Sequence, residues 1–393
     1  MIDRRKFLKT SVAAAVAASV PGQLWIREAF GAPLAAGLSD PSIQPKFVNP
    51  VPDAMSPGFK FIPKKGRIKV GVGQSVQYTG LVDEVGTPLP TTVWGYGDPQ
   101  SFYSWPGRTF EVQSGEPLEV KWENRLVDAL GNPLPLPVNS LGRSVVDTSL
   151  HWAYSLHGYE AFTLANDGFP IVPHVHGGHT DFQFDGNPEF FFSPGYAVRG
   201  PQWVDKKYVY QNDQPAGTVW YHDHALGITR LNVYAGMAGF YIIRDNDDSG
   251  VHGNMLDLPA HPYEQAFAIQ DKMFNADGSL FYPAFPGDPF YEDFITGEGA
   301  ILPPDIFPGG GATGLAEFFG DHMVVNGVLW PKMDVEPRNY RLRFLNGCDS
   351  RFLVAQFFEV PAGATDFSTA GGPLPFTVIG SDQGLASEPT TVD

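Results

Sequence analysis

The sequence predicts an all-β protein made of two sandwich-type domains of Greek-key strands. Three observations predict it. Gly 44 and Pro 36 together form about a fifth of the 393 residues, a loop-rich composition that suits short strands joined by turns. Several segments alternate apolar and polar residues with the period of a strand that buries one face. Helical spacing is confined to one short stretch, 225–232. The length admits two or three domains with buried cores. With charged residues at 18% and aromatics at 13%, the composition argues against disorder.

Residues 1–31 read as an address. Asp3-Arg4-Arg5-Lys6-Phe7-Leu8-Lys9 stands before a mostly alanine run, Val12 to Val20. That run is too short and too weakly apolar to cross the ~30 Å hydrocarbon layer, so no stable membrane anchor is expected. The arginine pair marks a twin-arginine export signal, with Ala29-Phe30-Gly31 placing cleavage before Ala32. This route carries folded proteins, which implies a periplasmic or secreted protein that meets the twin-arginine export machinery.

The first domain spans 32–245. Residues 32–66 are proline-rich and read as an extended arm. Strand signals begin at Arg67. Phe110 and Val112 alternate, Gln113-Ser114-Gly115-Glu116 supplies a turn, and Leu118-Glu119-Val120-Lys121-Trp122-Glu123-Asn124 alternates strictly. Asp245-Asn246-Asp247-Asp248-Ser249-Gly250 is acidic and free of apolar residues, so 246–262 is expected to be a solvated linker. The second domain then runs over 263–393. In it Tyr340, Leu342 and Phe344 mark a buried strand face, and Phe376-Thr377-Val378-Ile379 marks a further strand. The polar end Thr390-Thr391-Val392-Asp393 reads as closing no strand, so this domain is expected to be incomplete.

Lys+Arg 26 against Asp+Glu 43 gives a net charge of −17, which excludes nucleic acid as a partner, since that needs a basic footprint. The single cysteine, Cys348, excludes an internal disulfide framework, zinc ribbons, Cys-x-x-Cys redox chemistry and cysteine-ligated clusters. No histidine lies near it in Leu345-Asn346-Gly347-Cys348-Asp349-Ser350, and it reads as a small half-buried residue.

Five of the ten histidines fall in two clusters, Pro173-His174-Val175-His176-Gly177-Gly178-His179 and Val219-Trp220-Tyr221-His222-Asp223-His224. On a strand, residues i and i+2 share a face, with Cα atoms ~6.6–6.8 Å apart. Two such strands side by side would aim His174, His176, His222 and His224 into one space. Asp223 would then point to the opposite face, and His179, outside the strand register, reads as a loop histidine. Imidazole suits copper, zinc, iron and nickel alike, so residue type leaves the metal open. A zinc hydrolase would want Asp where Gly178 stands in His174-x-His176-x-Gly178-His179, together with helices this chain lacks. A cupin would want Glu three or four residues after His176, and the nearest is Glu189.

Pro173-His174-Val175-His176-Gly177-Gly178 and Trp220-Tyr221-His222-Asp223-His224 resemble the first two copper-binding motifs of multicopper oxidases, in the branch of spore-coat laccases and bilirubin oxidases. The likeness continues through Gly227–Gly239, Asp277-Gly278-Ser279-Leu280-Phe281-Tyr282-Pro283, Val325-Asn326-Gly327, Glu336–Arg343 and Ile379-Gly380-Ser381-Asp382. It implies tandem cupredoxin-like domains. It also implies one-electron oxidation of phenolic, tetrapyrrole or metal-ion donors, coupled to reduction of O2 to water. Electrons would pass from a type 1 copper to a type 2/type 3 trinuclear cluster. Carried over by motif, His174 is expected to bind the type 2 copper, His176 and His222 one type 3 copper, and His224 the other. Asp185, in Asp185-Gly186-Asn187-Pro188, stands where the branch often has an acid near the cluster. It is expected either to relay protons, which O2 reduction consumes, or to be only a turn residue before glycine.

The sequence departs from this pattern. It contains neither the His-Pro-x-His-x-His nor the His-Cys-His motif that supplies the cluster's other histidines and the type 1 ligands. The expectation is a C-terminally truncated member whose third cupredoxin domain is absent, inactive as this chain alone. The alternative is a non-catalytic periplasmic copper-binding protein that lives with half a cluster.

Overall fold

The computed structural model describes residues 37–100, 102–147, 156–294, 315, 317–364, 367–382 and 384–392. The export signal at 1–31, with Arg4 and Arg5, and the cleavage point before Ala32 lie outside the described residues. The fold is all-β; the α-helical segments among the described residues are Leu164–Asp167, Thr229–Tyr234 and Tyr291–Phe294, of four to six residues. None of the described helices is long and apolar enough to cross a membrane.

The first sandwich is built from strands β1 (Arg67–Gln77), β2 (Thr91–Gly97), β3 (Tyr103–Ser104), β4 (Gly107–Gln113) and β5 (Leu118–Asn124). After β6 (Val138–Ser140) and β7 (Arg143–Ser144) it adds β8 (Pro173–His176), β9 (Lys207–Tyr210), β10 (Gly217–Asp223) and β11 (Ala238–Arg244). One sheet has the order β3-β2-β1-β5-β9 and the other β4-β11-β10-β8. The parallel pairs β1–β5 and β4–β11 join strands that are distant in sequence, the crossovers of Greek-key connections. The alternating β5 segment turns Leu118, Val120 and Trp122 inward, as its pattern requires. Trp122 and Tyr96 from one sheet meet Tyr221 and Phe110 from the other, with the Tyr96–Tyr221 centroids 4.9 Å apart and Phe110–Trp122 at 6.2 Å. These rings fill the space between the sheets and fix how β10 lies over the core.

The remaining strands are β12 (Glu264–Phe274), β13 (Leu280–Phe281), β14 (His322–Val325), β15 (Val328–Leu329) and β16 (Arg341–Asn346). They form one sheet of order β15-β14-β12-β13-β6-β7, with β16 also pairing β12, in parallel over Glu264–Ile269. β6 and β7 therefore leave the first sandwich and pair across with β13. The arm does the same: Leu38 bridges Asn275 and Pro50 bridges Lys332. Two hairpins complete the chain, β17 (Phe357–Phe358) with β18 (Pro373–Leu374), and β19 (Phe376–Ser381) with β20 (Gly384–Val392).

Three expectations need correction. Thr390–Val392 close β20 by pairing with Phe376–Val378, so the polar end does belong to a strand. The acidic segment after Asp245 is not wholly solvated, because Asp248 is buried and binds Arg244, Arg341 and Arg343 at 2.5–2.8 Å. On β16 the burial is inverted: Arg341 and Arg343 point inward, while Phe344 is 46% exposed. Charge pairing with Asp248 and Glu264 outweighs the apolar preference that the alternation suggests.

Candidate metal centre

β8 and β10 run antiparallel with His222 opposite His174 and Trp220 opposite His176. Since i and i+2 share a face, this register puts all three histidines and Trp220 on one side of the sheet. His224 follows the end of β10, where its N–H donates to the Val172 carbonyl at 2.8 Å and turns its ring back over the same volume. Ring centroids lie 5.5 Å apart for His174–His176, 5.3 Å for His174–His222, 5.1 Å for His174–His224 and 5.7 Å for His222–His224. Nitrogens of His174, His176 and His222 all fall within 4.8 Å of one another, a set that does not include His224.

Which nitrogen faces inward is set by the backbone. The Nδ1 atoms of His174, His222 and His224 contact the carbonyl oxygens of Asp185, Asp223 (2.6 Å) and Gly186 (2.7 Å). A neutral ring that donates from Nδ1 keeps its lone pair on Nε2. His176 differs, with its Nδ1 lying 3.2 Å from Nε2 of His222. Trp220 roofs the pair, stacked on His222 at 4.1 Å and on His176 at 5.2 Å.

Burial lowers the His174 pKa to about 4, helped by the neighbouring charges of His224 and His176, and lowers that of His222 to about 3. Both rings are therefore neutral donors at neutral pH, the state that metal binding requires. Asp223 faces the other way, as its position on the strand demands. It accepts hydrogen bonds from Val172 N, Ala225 N and Asn232 Nδ2 at 2.8–3.0 Å, and burial nevertheless pushes its carboxyl up to about 7. These bonds tie the end of β10 to the helical turn Thr229–Tyr234, which begins later than the 225–232 spacing suggests.

Asp185 sits beside the cluster. Its carboxylate lies 3.6 Å from Nδ1 of His174, with the side chain 48% exposed, and burial raises its pKa against the lowering charges of His224 and His176. His179 points away into solvent and pairs with Asp213 at 3.3 Å. The Cys348 thiol reaches the Ile269 carbonyl at 3.7 Å. Sequence reasoning missed Trp220 and the paired carbonyls of Asp185 and Gly186. Trp220 was legible as a same-face neighbour of His222, whereas backbone acceptors leave no mark in a sequence.

With this geometry in hand, the comparisons with known proteins fall into one group. Residues 168–248, which hold both histidine motifs, match the family described as multicopper oxidase. The chain is 37% identical over 263 residues to a laccase of Bacillus stratosphericus, covering 67% of this chain and 42% of the laccase. It is 33% identical over 303 residues to multicopper oxidase LPR1 of Arabidopsis thaliana, covering 77% of this chain and 42% of that protein. The fold is similar to the crystal structure of McoA multicopper oxidase from the hyperthermophile Aquifex aeolicus, with TM-score 0.54 at 20% identity, over 89% of this chain and 54% of McoA. The chain thus spans less than half the length of these curated relatives.

Proposed function

This chain belongs to the multicopper oxidase family, and from that premise we propose that it supplies half the histidines of a copper cluster in an oxidoreductase. The enzyme would take electrons singly from a phenolic, tetrapyrrole or metal-ion donor and give them to O2. The observation that carries the reading is the 3.2 Å between His176 Nδ1 and His222 Nε2. Two imidazole nitrogens bound at about 2.0–2.1 Å to one tetrahedral ion stand about 3.3 Å apart. That spacing fits two ligands of one metal and supports the reading in which His176 and His222 would share one type 3 copper, with His224 on the other and His174 on the type 2 copper. Copper held there would pass the donor's electrons on to O2.

The chain's own residues hold the site ready. The carbonyls of Asp185, Asp223 and Gly186 fix three rings, and Trp220 shields His222 and His176 from water on one side. Asp185, half-exposed beside His174, would carry protons from solvent toward the cluster, and its position 3.6 Å from His174 Nδ1 supports that role.

Copper titration of the purified chain tests this reading. The chain should bind Cu2+, and His176→Ala with His222→Ala should remove one class of bound ion. Because His174 and His222 stay neutral down to about 4 and about 3, these two rings should not lose copper to protonation at roughly pH 5, where an ordinary histidine with a pKa near 6.5 is mostly protonated. Equal copper binding by the double variant would refute the site.

We propose further that the enzyme is exported by the twin-arginine route to the periplasm or beyond. Replacing Arg4 and Arg5 with lysines should hold the protein in the cytoplasm, and undiminished export of that variant would point to another route.

A further inference from the structure

The geometry points to the turn Asp185–Gly186–Asn187 as the positioning element of the histidine cluster, with Gly186 as its indispensable residue; this deepens the metal reading above and rests on it. Two consecutive carbonyls of this turn reach two different histidines. Asp185 O meets Nδ1 of His174, and Gly186 O meets Nδ1 of His224 at 2.7 Å. A neutral imidazole carries its proton on one nitrogen only, so these two acceptors choose the tautomer of both rings at once. Each ring then turns Nε2 toward the shared volume and is held in plane by the same peptide segment. His176 differs: its Nδ1 meets not a carbonyl of this turn but Nε2 of His222, at 3.2 Å.

Only glycine fits the turn. Gly186 has φ +83°, in the left-handed region, and a Cβ there would stand 2.4 Å from Cβ and 2.9 Å from Cα of His174. His174 cannot retreat, because β8 is held in register against β10 with His174 opposite His222. The turn itself would have to move, and both carbonyls would move with it. It is strapped on each side: Phe184 stacks on Tyr208 at 5.2 Å, and Asn187 Oδ1 accepts Glu189 N at 3.1 Å where the buried Phe190 begins its path into the core. These straps make the carbonyl positions a property of the sandwich core.

Two measurements test the assignment. In the copper-free wild-type chain, 15N NMR of selectively labelled histidine should report Nδ1–H tautomers for His174 and His224. An Nε2–H tautomer at either ring overturns the inference, whatever the chain does with copper. Gly186→Ala should weaken Cu2+ binding about 10–100-fold, the usual loss when a partner of a metal-bound histidine is removed, and should shift at least one of those two ring signals. Wild-type affinity in Gly186→Ala overturns it equally. Should the variant fail to fold, the wild-type tautomers decide alone. Should the wild-type chain bind no copper while both tautomers are Nδ1–H, the metal reading falls and the positioning of the rings stands.

Discussion

Loaded with copper, the 393-residue chain is expected to oxidise no phenolic donor and to show no intense blue absorption. A blue site needs a cysteine thiolate held with two imidazoles. The one cysteine, Cys348, donates toward the Ile269 carbonyl, and burial, reinforced by the charge of Asp271, pushes its thiol up to about 12. Metal-binding thiols are shifted in the opposite direction, toward the thiolate. Without a type 1 site no centre accepts electrons from the donor, and the cluster has only His174, His176, His222 and His224 from this chain. Absorption spectroscopy and oxygen uptake check both points. Supplying a polypeptide with His-Pro-x-His-x-His and His-Cys-His motifs, fused or separate, should restore colour and turnover. Blue colour from the chain alone that vanishes in Cys348→Ser would overturn this account and make Cys348 a ligand.

Arg244→Met is expected to cost about 3–5 kcal/mol of folding stability, the loss typical when one partner leaves a buried ion cluster. The Arg244 guanidinium is buried and contacts Glu111 at 2.7 Å, Asp248 at 2.8 Å and Glu264 at 2.7 Å. Arg341 and Arg343 face the same Asp248 and Glu264, and Arg343 reaches Thr218 on β10 at 2.5 Å. Removing one guanidinium leaves two buried carboxylates under-compensated. Burial alone would raise the Asp248 pKa, but hydrogen bonds from Arg341 and the charges of Arg343, Arg341 and Arg244 outweigh it and hold the carboxyl far below its ordinary value. A depressed carboxylate contributes stability above its unfolded pKa, near 3.8, and loses it only as pH falls below that. Denaturant midpoints at neutral pH measure the effect. Arg67→Ala is the control, since Arg67 is 74% exposed, lies 3.6 Å from Glu119 and should matter by under about 1 kcal/mol. Equal midpoints for the two variants would mean the buried cluster is not under tension from its charges.

The part of the fold legible in the sequence was the part written in short-range period. Leu118–Asn124 alternates and buries one face, and the two His-x-His pairs converge because a strand repeats every two residues. What stayed hidden was set by distant partners. Arg341 and Arg343 turn inward because Asp248 and Glu264 wait there, 93 and 79 residues away, and no local window contains both sides of that pairing. The same holds for Val138–Ser140, whose partner is Leu280–Phe281. Asp185-Gly186 was readable as a turn, but the reach of its carbonyls to His174 and His224 depends on how 185 folds back over β8.

The fastening of the arm to the far end of the chain sets the order of events during synthesis. Ser39 Oγ meets His322 Nε2 at 3.2 Å across 283 residues, and Ser39 N donates to the Phe274 carbonyl at 3.0 Å. A ribosome adds about 5–20 residues per second, so Ser39 emerges roughly 15–60 s before the histidine that will hold it. Closing so long a loop costs little more than closing a shorter one, since the entropy grows only with the logarithm of length. The delay is therefore one of supply, and contacts of such long separation are slow to be searched out. The arm is thus fastened in two stages: Gln44 can exchange hydrogen bonds with Val82 once residue 82 is made, whereas Ser39 waits for His322.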